Sequence, residues 1–298
     1  MDFTSHIASQ ATPAYAIQML NGDMTAVAVL ISYCTAGGGV VEFLLNPWMG
    51  RLSDRYGRML PLLTMPMLTA VARGTPPALG CTMATLIFGR ATSGGSKAAY
   101  FTAVKASIAD CVPSERRTAV LGKLGAWQQA SFMVGMFSAG AVTQYYGPRL
   151  AYIISSASAT LATLVMWFGM SETLTQPVPF KAPNPFSFVE LLQSNSIYNK
   201  TTAGAAGKLA LVLGLQKGTG EPGLTDAKNL INRSAIGWDD AQRGNFLALE
   251  GLAMMVANAL TGKMVNKLGT RLNLMLGGSC KIVQYLLSSL YNDRDRGS

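Results

Sequence analysis

An all-helical protein that crosses a membrane several times is the fold class this sequence predicts, and three observations carry it. Only 13% of the 298 residues are charged and 49% are hydrophobic, where soluble domains carry roughly a quarter charged residues. The apolar residues come in long runs. Residues 124–148 and 150–171 contain no Asp, Glu, Lys, Arg or His, and a membrane span needs roughly 20 residues of this kind where a soluble core helix has about 14 at most. Finally, the positive charges gather in short segments between the runs, as at Arg51, Arg55 and Arg58, which is how inner loops of membrane proteins are marked.

The elements follow in order. Residues 1–24 are interrupted by Pro13, Gln18, Asn21, Gly22 and Asp23 and are predicted not to span. The first span covers 25–47 and is apolar except for Glu42. Residues 46–58, N-P-W-M-G-R-L-S-D-R-Y-G-R, then read as a tight turn in which Gly50 and Gly57 supply left-handed dihedrals and close backbone approach. A second span runs over 59–75, with Pro61 near its start where a missing N–H costs little, and Pro76-Pro77 closes it. The third, 79–102, holds Arg90 and Lys97; charges at that depth face a protein interior or a water-filled cavity. A polar loop at 105–123 is expected next, then spans at 124–145 and 150–170 joined through Tyr146-Gly147-Pro148-Arg149.

The proline-spaced stretch 177–186 reads as an extended linker. The predicted organisation is therefore a bundle at 1–174, a linker at 175–202 and a second, partial bundle at 203–298. In that second bundle 203–216 spans poorly around Lys208, 218–243 is a polar loop including Arg243, and 244–262 (with Glu250) and 272–291 (with Lys281) complete a set of about eight segments.

A net charge of +9 can signal nucleic acid. Here the positives lie in short loops with no aromatic-basic recognition motif, so no nucleic-acid partner is expected, and the lipid bilayer is. Cys34, Cys81, Cys111 and Cys280 show no C-x-x-C spacing and read as inert thiols. His6 is the single histidine. No metal site, cofactor motif, P-loop or Gly-x-Ser-x-Gly nucleophile is visible, and no enzyme is expected. With the 46–58 turn placed inside, twelve loop Lys and Arg fall inside and five outside, Arg73 among the latter; the opposite orientation violates the positive-inside rule.

The phrase G-R-L-S-D-R-Y-G-R (50–58) returns in weaker form as G-K-M-V-N-K-L-G-T-R (262–271), each copy set between apolar segments. It closely resembles the loop between helices two and three of the major facilitator superfamily of transporters. Together with A-D-C-V-P-S-E-R-R (109–117) and S-E-T-L (171–174), the sequence is similar to the drug-efflux and tetracycline-resistance-like branch. The resemblance implies a helical bundle with two six-helix halves. Against that pattern the first half here is mostly present, with an incomplete first helix, and the second is partial. It also implies movement of a small solute by alternating access of two bundles around a central polar site. The competing reading is a truncated, non-transporting membrane protein that acts through helix association. Substrate, direction and coupling ion are not written in the sequence.

The same resemblance assigns a conformational gate to Gly50, Asp54, Arg55, Gly57 and Arg58, with Asp110 as the second carboxylate. A carboxylate can sit at a helix N-terminus while a nearby guanidinium grips another carboxylate. Two residues are candidates for a substrate or proton pathway. Arg90, in F-G-R-A-T-S-G-G-S-K, either attracts an anion and acidifies a neighbouring carboxyl, or is structural. Glu42 is either a proton or cation site, or it snorkels to the inner surface. Two departures stand out. Gly135–Gly140 reads G-M-F-S-A-G where the family's proton antiporters carry Gly-Pro, and Asn266 replaces the Asp of the second loop.

Overall fold

A computed structural model describes residues 2–174, 177–179, 182 and 237–294. All regular structure among them is helical: α1 (Asp2–Met19), α2 (Met24–Tyr56), α3 (Met59–Leu79), α4 (Met83–Cys111), α5 (Ser114–Tyr146), α6 (Pro148–Gly169) and α7 (Asp240–Arg294). Gly269, at φ 76°, breaks α7 into two helices, so the described residues hold eight helical segments. That number equals the expectation by a different route. Most of the linker and the whole of the weak segment 203–216 lie outside the described residues, and α1 takes a place the sequence reading left empty.

Residues 1–24 do not stay broken. Asp2–Met19 is an 18-residue helix with Pro13 inside it, about 27 Å long at 1.5 Å per residue. Ile7, Ala8, Ala11, Tyr15 and Ala16 are buried against α5 and α6, and the polar Thr4, Gln10 and Thr12 are buried with them, Thr12 sharing a hydrogen bond with Tyr152 of α6. The interruptions Asn21 and Gly22 instead make the turn, at φ 50° and 85°. Asp23 Oδ1 then accepts from the amides of Thr25 at 2.9 Å and Ala26 at 3.1 Å, capping α2.

Helices run further than their apolar cores. α2 passes through Pro47 and most of the signature motif to Tyr56, 33 residues in all, so the expected Gly-rich turn shrinks to Gly57 and Arg58. Gly50 is helical, with open space where a Cβ would be. α3 continues through Pro76 and Pro77 to Leu79. Pro76 has no N–H for the carbonyl of Ala72, and the Thr75 hydroxyl donates to that carbonyl at 2.8 Å instead. The loop expected at 105–123 reduces to Val112 and Pro113 between α4 and α5. Arg117 donates to the carbonyls of Val112 at 2.8 Å and Ala109 at 2.7 Å, satisfying the end of α4.

The repeated motif proves to be a repeated structure. Gly57 and Gly269 occupy the same position in the two copies, seven residues after Gly50 and Gly262, and both have positive φ (109° and 76°). Each is where one long helix stops and the next begins.

Small residues set the helix contacts, as expected where lipid offers no hydrophobic drive. A Cβ on Gly95 of α4 would come within 2.5 Å of Val41 on α2, and one on Gly89 within 2.7 Å of the Ala72 carbonyl on α3. Along α5 and α7 the contact is tight from Gly140, where a Cβ would meet the Asp240 carbonyl at 2.6 Å and Gly244 Cα at 3.1 Å, to Gly251, where one would meet Phe132 at 2.6 Å and Met133 Cα at 3.2 Å. Nearer the inner end Gly125 faces Asn258 at a relaxed 3.7 Å. Two buried clusters result, one around Ile7, Leu30, Leu86 and Tyr152, the other around Met49, Leu62, Met65 and Tyr100. By length and composition α2 and α6 are apolar enough to cross a membrane, and only 22% of the residues in the apolar window of each are buried. Leu161, Val165, Trp167 and Phe168 on α6 are exposed, an apolar face suited to lipid.

Gly140→Leu should therefore separate the outer ends of α5 and α7. We expect a drop in thermal stability equivalent to ~2–3 kcal/mol, in the range of overpacked sites, whereas Gly50→Ala stays near wild type. A melting curve of each variant in lipid nanodiscs checks both.

Candidate functional site

Charges converge at the ends of α2, α3, α4 and α6 beside the 46–58 motif, called inner after the positive-inside expectation. Arg58, at the N-cap of α3, is the centre. Its Nε donates to Asp110 Oδ2 at 2.8 Å, and its Nη1 to Asp54 Oδ1 at 2.5 Å and to Ser53 Oγ at 3.1 Å. The Arg58 side chain is 11% exposed, with Asp54 at 41% and Asp110 at 27%. Burial works against the Arg58 charge, but the bonds to Asp110 and Asp54 outweigh it and hold the guanidinium more firmly protonated than usual.

Asp54 is not at a helix N-terminus, as the sequence suggested. It lies in the last turn of α2, one turn from Arg58. The carboxylate at the start of α3 belongs to Glu172, just after α6. Its Oε1 accepts from the Arg58 amide at 2.8 Å and its Oε2 from the Met59 amide at 3.1 Å. Oε1 also accepts from the amides of Thr173 at 2.8 Å and Leu174 at 2.9 Å. Burial pushes this carboxyl up, and the four amides, led by Leu174, more than offset it, so its pKa lies below the ordinary value. The α3 dipole favours the same charge. Gly57 is required twice here: its φ is 109°, and a Cβ would collide with the Glu172 carboxylate.

The other sequence candidates spread out. Gly50 lines a small cavity of about 130 Å³ with Met49, Ser53, Asp54 and Arg58. The Arg55 guanidinium lies 5.1 Å over the ring of Tyr56. Glu42 is exposed on α2, about 18 Å along the axis from Asp54. Arg90 is half-buried in α4, about 30 Å from Asp110. The structure thus brings Asp54, Gly57, Arg58 and Asp110 together, and leaves Glu42 and Arg90 at mid-depth.

Three residues escaped the sequence reading. Glu172 was seen only as part of S-E-T-L. Arg73 was placed in an outer loop because Pro76-Pro77 looked like a helix end; it is 2% exposed inside α3, and so leaves the outer charge count. Arg243, assigned to a polar loop, is 1% exposed in the first turn of α7. It donates to Gln10 Oε1 on α1 at 2.8 Å and pairs with Asp240 at 3.2 Å. Among the described residues no cluster of His, Cys, Asp and Glu could hold a metal, and Cys34, Cys81, Cys111 and Cys280 are not in disulfides.

Residues 3–293 match the sequence profile of the Major Facilitator Superfamily. The chain belongs to the major facilitator superfamily. It is an integral, multi-pass membrane protein, and its relatives lie in the drug-efflux-like branch. It is 23% identical over 243 residues to multidrug resistance protein 2 of Bacillus subtilis, covering 81% of this chain and 59% of that protein. Against the class B tetracycline resistance protein of Escherichia coli the identity is 27% over 243 residues, covering 80% and 57%. Against the cis,cis-muconate transport protein of Acinetobacter baylyi it is 23% over 291 residues, covering 91% and 65%. The chain thus spans a little more than half the length of these relatives.

If Glu172 caps α3, Glu172→Ala should cost ~1 kcal/mol of stability, as losing a helix cap does. A carboxyl whose pKa is depressed on folding stabilises above its unfolded value, about 4.3, and loses that contribution as pH falls through the lower folded value. The gap in melting temperature between wild type and variant should be constant from pH 5 to 8 and close on stronger acidification.

Proposed function

We propose that this chain moves a small solute across a membrane by alternating access, and that the Arg58 corner holds the inner ends of α2, α3, α4 and α6 together in one of the two conformations. The observation that carries the reading is the placement of one guanidinium between Asp54 and Asp110, with Glu172 on the backbone of the same residue. Four elements are tied by contacts that exist only while their ends are adjacent.

The strength of the ties suits a switch. Asp54 and Asp110 are partly exposed, and such pairs contribute ~0.2–1 kcal/mol each. A few together bias an equilibrium of a few kcal/mol without locking it. The relatives support a solute as cargo, since their names are those of multidrug, tetracycline and muconate proteins. Glu42 and Arg90 remain the residues to examine for substrate or proton coupling. The Gly135–Gly140 stretch without proline speaks against antiport of the family's usual kind, and its Gly140 is used instead for contact with α7.

The test is transport by the 298-residue chain in proteoliposomes, offered tetracycline, ethidium and cis,cis-muconate, beside the same chain carrying Asp54→Asn. Uptake of at least one solute is expected, reduced ~2–5-fold in Asp54→Asn, a loss of ~0.4–1 kcal/mol of bias, with equal reconstitution. Normal uptake by Asp54→Asn would remove the gate.

A further inference from the structure

A buried guanidinium also ties helices together towards the outer side, away from the Arg58 corner. Arg243 lies in the first turn of α7 and is 1% exposed. Its Nε donates to Gln10 Oε1 of α1 at 2.8 Å and its Nη2 to the Gln10 carbonyl at 3.3 Å. Gln10 is itself buried, and its Nε2 meets Met136 Sδ of α5 at 3.2 Å. On α5, Gln144 Oε1 accepts from the Ala241 amide at 2.9 Å, one of the amides that the start of a helix leaves unsatisfied. The α5 and α7 backbones close up in the same region, where a Cβ on Gly244 would meet the Met136 carbonyl at 2.8 Å.

These bonds cross the chain. α1 and α5 precede the 175–202 stretch and α7 follows it, whereas the Arg58 corner joins α2, α3, α4 and α6, all from the first half. The charges are also placed so that the contact can part. Arg243 pairs with Asp240 at 3.2 Å, one turn away on its own helix, so this ion pair travels with α7. The named bonds that break when α1 and α5 withdraw run to neutral acceptors, which water replaces. An ion pair split between the two halves would instead leave two charges to be rehydrated separately, at greater cost.

We propose that Arg243 and Gln10 form a latch on the outer side: α7 must leave Gln10 and Gln144 for a path to open between the halves, and the Arg243–Gln10 bonds set how often it does. This rests on the transport reading and gives it an outer counterpart to the Arg58 corner. In this structure the latch is engaged.

The test uses the full chain in nanodiscs, with its four cysteines replaced by serine. Spin labels are attached at Tyr146→Cys on α5 and Asn245→Cys on α7, both exposed positions. Pulsed electron paramagnetic resonance then reads the ratio of long to short distances between them. Gln10→Leu and Arg243→Gln should raise that ratio ~10-fold, the size of one net hydrogen bond to a charged group. Gln10→Glu should lower it, because a carboxylate grips a guanidinium more strongly than an amide does. The opposite signs separate a latch from a packing site, since a contact that acts by shape alone loosens in both variants. If Arg243→Gln does not fold, the two Gln10 variants carry the test. An unchanged ratio in Gln10→Leu, or a raised ratio in Gln10→Glu, overturns the latch. Ratios shifted as expected without uptake of any solute would leave the latch standing and fail the transport reading. Uptake with no variant shifting the distances would do the reverse.

Discussion

The inner ends of α2, α3 and α4 meet on the Arg58 guanidinium, and the local structure depends on keeping that charge solvated by protein. At 11% exposure its own water is largely gone, so Asp54, Asp110 and Ser53 replace it. The helix lengths follow from this need. α2 must continue past its apolar stretch to present Asp54 one turn before Arg58, and α4 must run to Cys111 to bring Asp110 within reach. Gly57 must be glycine so that the chain can reverse between them while Glu172 takes the first amides of α3.

Electrostatics ties the ends; sterics ties the middle. Glycines 89, 95, 140 and 244 let backbones approach to distances that a methyl group would forbid, and in lipid this packing carries much of the association. Pro76, which would break a soluble helix, persists in α3 because the Thr75 hydroxyl takes over the Ala72 carbonyl that it orphans. The α5–α7 contact is close from Gly140 to Gly251 and looser at Gly125. Arg243 supports the close stretch by joining α7 to Gln10 of α1.

The all-helical class and the order of the elements were legible because long uncharged runs have few other uses. The second copy of the motif was legible as well, and Gly57 and Gly269 show why: the backbone break needs a residue without a Cβ. Helix ends were not legible. Past the apolar core, Asp54, Asp110 and Arg243 look like loop residues, since composition reports water or lipid and says nothing of a partner charge. Arg73 was hidden by Pro76-Pro77, a true stop signal in water and a weak one where Thr75 can repair the helix. α1 was hidden because its polar atoms are satisfied by other helices, through Gln10 and Thr12. Glu172 gave no signal beyond its motif, because what it binds is backbone, which every sequence has.

A double-mutant cycle on Arg58→Gln and Asp110→Asn tests most directly whether one guanidinium joins these helices. Unfolding free energies of wild type, both single variants and the double variant are measured in nanodiscs at one salt concentration. A coupling of ~1 kcal/mol or more, shrinking at high salt, is expected for charges in contact. Strictly additive effects would mean that the two side chains lie close without holding anything, and the account of the inner corner would fail.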